Sequence, residues 1–141
     1  MNKIEHIGIA VKDFEASNKL FSVLLNTSPY KNEAVESEGV MTSFFKMGES
    51  KIELLSATNA DSPIAKFIDK KGEGIHHIAF EVDDIDQEIK RLESEGFELI
   101  NKTSKPGADN KVIAFLHPKS TGGVLVELCM EKKGSNLLSG E

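Results

Sequence analysis

The sequence predicts an α+β fold of two tandem βαβββ modules, and three observations carry that prediction. Two stretches open almost identically, Ile4-Glu5-His6-Ile7-Gly8-Ile9-Ala10-Val11 and Ile75-His76-His77-Ile78-Ala79-Phe80-Glu81-Val82. Each runs into an acidic helix start, Lys12-Asp13-Phe14 in one half and Asp83-Asp84-Ile85 in the other. Each half closes on a strand-like segment with a carboxylate at its centre, Lys51-Ile52-Glu53-Leu54-Leu55 and Val124-Leu125-Val126-Glu127-Leu128. His6 and His77 lie 71 residues apart and Glu53 and Glu127 lie 74 apart, so one short insertion aligns the halves.

The elements follow in order. Residues 3–11 alternate, with Ile7, Ile9 and Val11 on one side of an extended strand and His6, Gly8 and Ala10 on the other. Phe14, Phe21 and Leu25 fall at helical spacing behind Asp13, a residue type suited to a helix N-cap. Strands are expected at 30–36, 40–47 and 50–56, the last two joined by Gly48-Glu49. Ser62-Pro63 starts a connecting helix, with proline at its first position, that ends at Gly72 or Gly74. In the second half, Asp84 with Gln87 resembles a capping box, Ile85, Ile89 and Leu92 form an apolar stripe, and Gly96 closes the helix. Strands are then expected at 97–101, 111–116 and 123–130, with 104–110 as a polar, mobile loop. The organisation is a single domain over 1–131: module one 3–58, linker helix 62–71, module two 75–131, and a frayed tail over 132–141.

A chain of 141 residues is long enough to bury a core without staples. Its net charge is −6 and its lysines are scattered, which argues against a nucleic-acid partner. No apolar run reaches the roughly 20 residues that cross a bilayer. The lone Cys129 excludes an internal disulfide, and the first twelve residues have no signal or transit pattern, so a cytoplasmic setting is expected.

Strand phase decides whether the recurring His and Glu can meet. Ile78, Phe80 and Val82 oppose His77, Ala79 and Glu81, while Val126, Leu128 and Met130 oppose Leu125, Glu127 and Cys129. All four candidates therefore oppose the apolar stripe. Helices covering one face of a curved mixed sheet would leave His6, Glu53, His77 and Glu127 in a shared metal-binding cleft. Two imidazoles with one or two carboxylates suit a divalent ion such as Co²⁺, Zn²⁺, Mn²⁺ or Ni²⁺ and leave positions open for substrate. His76 has the opposite phase and is expected in the core or at an interface. His117, beside Pro118, fits a turn equally well.

The run Ala114-Phe115-Leu116-His117-Pro118-Lys119-Ser120-Thr121-Gly122-Gly123-Val124-Leu125-Val126-Glu127-Leu128, with Gly72-Glu73-Gly74-Ile75-His76-His77-Ile78-Ala79, resembles the vicinal oxygen chelate (glyoxalase/bleomycin resistance/dioxygenase) superfamily, and within it the methylmalonyl-CoA epimerases. The resemblance covers residues 3–131. It implies His6, His77, Glu127 and Glu53 as metal ligands, with Co²⁺ first among candidates that include Mg²⁺. It further implies Glu53 and Glu127 as the acid/base pair, an acyl-CoA substrate, and homodimers. The implied reaction interconverts the R and S forms of methylmalonyl-CoA by removing and returning the α-proton, the metal stabilising the enolate. Lys119 and His117 are expected substrate contacts, and Ile64 and Phe67 expected exposed apolar residues at a subunit interface.

The sequence also departs from the family pattern. Thr42 stands where some members place a glutamate base, and Asp109-Asn110 stand where relatives often have glycines. Competing readings are a lactoylglutathione lyase, disfavoured by the turn before Glu127, and a non-catalytic small-molecule binding or resistance protein, disfavoured by the full ligand set.

Overall fold

The computed structural model describes residues 1–132; the expected tail beyond Lys132 lies outside the described residues. The elements are β1 (Lys3–Ala10), α1 (Phe14–Leu25), β2 (Lys31–Val35), β3 (Val40–Met47), β4 (Ser50–Ala57), α2 (Pro63–Lys71), β5 (Gly74–Glu81), α3 (Ile85–Ser94), β6 (Lys105–Pro106), β7 (Lys111–Leu116) and β8 (Val126–Glu131). The order β1-α1-β2-β3-β4 is repeated as β5-α3-β6-β7-β8, which gives the α+β, vicinal oxygen chelate fold its two βαβββ modules. Contacts divide the chain into two compact units, one of His6–His76 and one of Met1–Glu5 with His77 onward.

In the unit His6–His76 the strand order is β2-β3-β4-β1. β1 lies parallel to β4, with Gly8 opposite Glu53, and β3 is antiparallel to β4, with Phe44 opposite Glu53. One face of these strands carries Val11, Phe45 and Leu54, against which Phe21 and Leu25 of α1 pack. The other face carries Ala10, Val40 and Leu55, covered toward one end by Ile64, Phe67 and Ile68 of α2. This corrects the expectation that Ile64 and Phe67 are exposed for a partner subunit. The amphipathic α2 turns its apolar side onto its own sheet, leaving Ile64 buried and Phe67 stacked edge-on to His76 at 4.9 Å. Asp13 caps α1 by accepting from the Ala16 N–H at 3.0 Å, and Ser62 caps α2 by accepting from the Ile64 N–H at 3.1 Å.

The second unit repeats the plan, with order β5-β8-β7-β6. β5 is parallel to β8, with Ala79 opposite Glu127, and β7 is antiparallel to β8, with Phe115 opposite Glu127. Ile85, Ile89 and Leu92 of α3 are buried with Val82, Leu99, Ala114, Leu116 and Leu128, so the stripe read from the sequence is the core-facing side of the helix. The opposite face carries a smaller cluster of Ala79, Ile113 and Cys129, with Phe115 packed against it. At the start of β1, Glu5 is buried and its Oε2 lies 3.9 Å from Nζ of Lys111, which also reaches Oε2 of Glu131 at 3.1 Å.

The partner strand of β7 is not where the sequence suggested. Residues 97–101 form no strand; they make one isolated bridge, Leu99 opposite Leu116, and Phe97 and Leu99 pack into the α3 core. The Asn101 side chain supplies the acceptor a strand would have offered, its Oδ1 taking the Phe115 N–H at 2.9 Å. The strand lies instead at Lys105–Pro106, inside the stretch expected to be a mobile loop. It turns into β7 through Asp109 and Asn110, both left-handed at φ 57° and 59°, a conformation these two residue types tolerate through local hydrogen bonding. A methyl group on Gly107 would lie 2.8 Å from Cγ2 of Ile113, so the hairpin sits flush on that side chain.

The two helices that open the modules differ on their outer sides. α1 exposes Leu20, Val23 and Leu24, whereas α3 exposes polar and charged residues such as Asp86, Lys90 and Glu93. No helix among the described residues is long and apolar enough to cross a membrane. Leu128 is completely buried at the centre of the α3 core. Leu128→Ala is therefore expected to lower unfolding free energy by about 2–5 kcal/mol, measured by urea denaturation.

Candidate metal centre

Each unit holds one buried histidine–carboxylate pair, built in the same way. In the first, Nε2 of His6 lies 3.2 Å from Oε1 of Glu53; in the second, Nε2 of His77 lies 3.1 Å from Oε1 of Glu127. Relative exposures are 6, 4, 3 and 5 % for His6, Glu53, His77 and Glu127. Burying two ionisable groups together is costly unless they satisfy one another or a cation.

Register explains how the pairs form. The residue opposite each carboxylate on the parallel strand is not the histidine but the position two further on, Gly8 or Ala79. Side chains two apart on a strand share a face, so each histidine is a diagonal neighbour of its carboxylate. Glycine at 8 and a methyl group at 79 leave the imidazole room to lean across. The apolar side chain directly opposite each carboxylate on the antiparallel strand is a phenylalanine, Phe44 or Phe115. Phe115 also meets the His77 ring edge-on, centroids 5.8 Å apart and planes at 87°. The sequence reading missed both phenylalanines, although they are spaced 71 residues apart, as the histidines are.

The donor spacing is that of a direct histidine–carboxylate contact and is also one that a metal ion accepts. Bonds of about 2.1 Å at angles between about 90° and 109° put neighbouring donor atoms about 3.0–3.4 Å apart, and the two pairs are at 3.2 and 3.1 Å. Imidazole nitrogen and carboxylate oxygen suit borderline divalent ions. Within each unit the buried pair, His6 with Glu53 and His77 with Glu127, offers donors of this kind.

The remaining sequence-predicted residues fall elsewhere. His117 precedes a short 3-10 turn, Pro118–Ser120, and its Nδ1 accepts from the Lys119 N–H at 3.2 Å. This is the turn role that the sequence had left open for it. Lys119 has a side chain 72 % exposed, with Nζ 3.6 Å from Oε1 of Glu98. Thr42 is fully buried and its hydroxyl donates to the Glu33 carbonyl at 2.7 Å, so it braces β2 against β3. His76 is half-buried against Phe67 of α2.

Residues 5–115 match the Glyoxalase/Bleomycin resistance protein/Dioxygenase superfamily, and the chain belongs to that family. Within it the chain is related to methylmalonyl-CoA epimerases. It is 40% identical over 129 residues to the mitochondrial methylmalonyl-CoA epimerase of Dictyostelium discoideum, covering 91% of this chain and 78% of that one. It is likewise 40% identical over 134 residues to the uncharacterized protein YqjC of Bacillus subtilis, covering 95% of both chains. The structure superposes with a TM-score of 0.90 on a point variant of the Streptomyces coelicolor methylmalonyl-CoA epimerase in complex with 2-nitronate-propionyl-CoA, at 32% identity over 94% of this chain and 96% of that one.

An exposed pair such as Lys119 with Glu98 contributes little to stability. Lys119→Ala is expected to change unfolding free energy by less than about 0.5 kcal/mol in a urea titration.

Proposed function

We propose that the protein is a metal-dependent epimerase of methylmalonyl-CoA, acting in the cytoplasm. The observation that carries this reading is the recurrence of a buried His–Glu pair at metal-donor spacing in both modules. The relationship to epimerases over nearly the whole chain supports the substrate class. In this reading His6, His77 and Glu127 are ligands, Glu53 takes the fourth protein position, and Co²⁺ is the preferred ion.

Methylmalonyl-CoA carries its reacting hydrogen between a thioester carbonyl and a carboxylate, which makes that hydrogen the most acidic C–H in the molecule. A divalent ion bound by these residues would act as a Lewis acid toward the two substrate oxygens, where negative charge develops as the proton leaves. Inversion requires removal of the proton on one face of the carbon and its return on the other. Glu53 and Glu127 are the acid/base pair of the proposal, one accepting the proton on its carboxylate oxygen and the other delivering one. The apolar side chains beside them, Ala79, Ile113 and Phe115 in the second unit, limit competing protonation from water. A carboxylate held tightly by a cation is a weak base, so in this proposal at least one of the two would have to be held loosely enough to accept the proton. The same chemistry gives the fourth position its value: a ligand that can leave is a ligand that can accept a proton.

Three outcomes test this. Protein loaded with Co²⁺ and incubated with one epimer of methylmalonyl-CoA in D₂O is expected to incorporate deuterium at the α-carbon and to lose optical purity, and chelation should stop both. Absence of exchange in a protein that binds metal stoichiometrically rejects the epimerase reading and turns attention to a glutathione hemithioacetal or to simple ligand binding. Glu53→Gln should lose turnover by about 10²-fold or more while metal content stays near wild type. His77→Ala should lose the metal itself, read by elemental analysis after gel filtration.

A further inference from the structure

We infer that Phe115 is a positioning residue for the metal centre: its ring fixes the plane of the His77 imidazole and covers the Glu127 carboxylate. This rests on the proposed metal reading and adds a part to it. Three strands put the groups side by side on one face. Phe115 of β7 stands directly opposite Glu127 of β8, and His77 of β5 is the diagonal neighbour of Glu127 on the other side. Residues directly opposite in an antiparallel pair have Cβ atoms about 4.5–5.5 Å apart, so the ring flanks the carboxylate. Its perpendicular contact with His77 at 5.8 Å and 87° is the favoured geometry for two aromatic rings, and it opposes rotation of the imidazole about its Cβ–Cγ bond.

Phe115 is itself held. Its N–H is taken by Oδ1 of Asn101 at 2.9 Å and its carbonyl accepts from the Ile100 N–H at 2.8 Å, so its backbone is pinned on the side away from β8. A helix-side aromatic such as Phe97 packs on the α3 core instead. The arrangement recurs. In the other unit Phe44 stands directly opposite Glu53 and is nearly fully buried, with its ring 6.0 Å from that of Tyr30. A core phenylalanine needs no particular partner, yet both units place one opposite the carboxylate of the pair. Hydrogen-bonded groups that orient a metal ligand typically change metal affinity by about 10–100-fold when removed, and the Phe115 ring acts on the same orientation by packing.

The test compares Phe115→Leu, Phe115→Tyr and Phe97→Leu with wild type by calorimetric titration of metal-free protein with Co²⁺ and by the visible absorption of the bound ion. Phe115→Leu is expected to bind Co²⁺ about 10–100-fold more weakly, with a shifted absorption band. Phe115→Tyr, which keeps the ring, should retain both the affinity and the band. Phe97→Leu should lower the melting temperature and leave both unchanged. If the leucine variant fails to fold, Phe115→Met replaces it in the same comparison. Wild-type affinity and band in Phe115→Leu would overturn the inference, as would an equal loss in Phe97→Leu or in Phe115→Tyr. A wild-type protein that takes up no Co²⁺ would overturn the metal reading itself, and the inference with it.

Discussion

Everything proposed for this protein depends on strand register. The carboxylate of each pair is matched across a parallel ladder to a residue with almost no side chain, Gly8 for Glu53 and Ala79 for Glu127. A slip of one residue would turn the carboxylate to the helix-covered face, where α1 or α3 packs. A slip of two would keep the face but replace the diagonal pairing, putting the carboxylate directly opposite the histidine or one same-face position further from it. The apolar clusters prevent both. Leu54 must meet Phe45 and Val11 under α1, and Leu128 must meet Ala114 and Ile85 under α3. The α1- or α3-facing side of each set of strands therefore sets the geometry of the side that carries the histidine–carboxylate pair.

Duplication makes the two pairs alike, but it has not kept the modules alike elsewhere. α3 has a sharply divided surface, three buried apolar residues against a charged exterior, and its Arg91–Glu88 contact at 2.6 Å belongs to that exterior. The hydrogen bond from Arg91 holds the Glu88 carboxyl below the ordinary carboxylate range, so whatever that contact contributes is present at neutral pH and fades as acid protonates Glu88. α1 has no fully buried residue and leaves three aliphatic side chains exposed. Among the features that remained common through this divergence are the histidine, the small residue two positions later, the glutamate and the phenylalanine across from it.

Much of this was legible in the sequence because repetition removes ambiguity. A single His on an alternating strand says little, but His6 and His77 at equal strand phase, each followed by an acidic helix start, place two imidazoles on equivalent faces. The stripe of Ile85, Ile89 and Leu92 was legible for a different reason: its 3.6-residue period has no strand alternative. The failures were local contests between similar signals. Phe97 and Leu99 alternate as a strand would, yet they serve the α3 core from an irregular segment, and an asparagine side chain replaces the missing ladder partner. Lys105–Pro106 looked like loop because its strand is two residues long and followed by turn formers. Ile64 and Phe67 were misjudged because a helix between modules has no neighbour visible in sequence, whereas in the fold it lies on Ala10, Val40 and Leu55. Phe44 and Phe115 drew no notice in the sequence, and only register shows that each stands opposite a carboxylate.

The β6–β7 hairpin seats Gly107 so closely against Ile113 that no other residue fits there unless Ile113 shifts. Ile113 in turn packs with Ala79 and Cys129, on the face that bears His77 and Glu127. A surface turn of this kind would ordinarily be free to drift in composition and length. Here the turn and the face that bears the His77–Glu127 pair share one branched side chain, so the outermost ribbon of the unit inherits the packing tolerances of its buried ionisable pair.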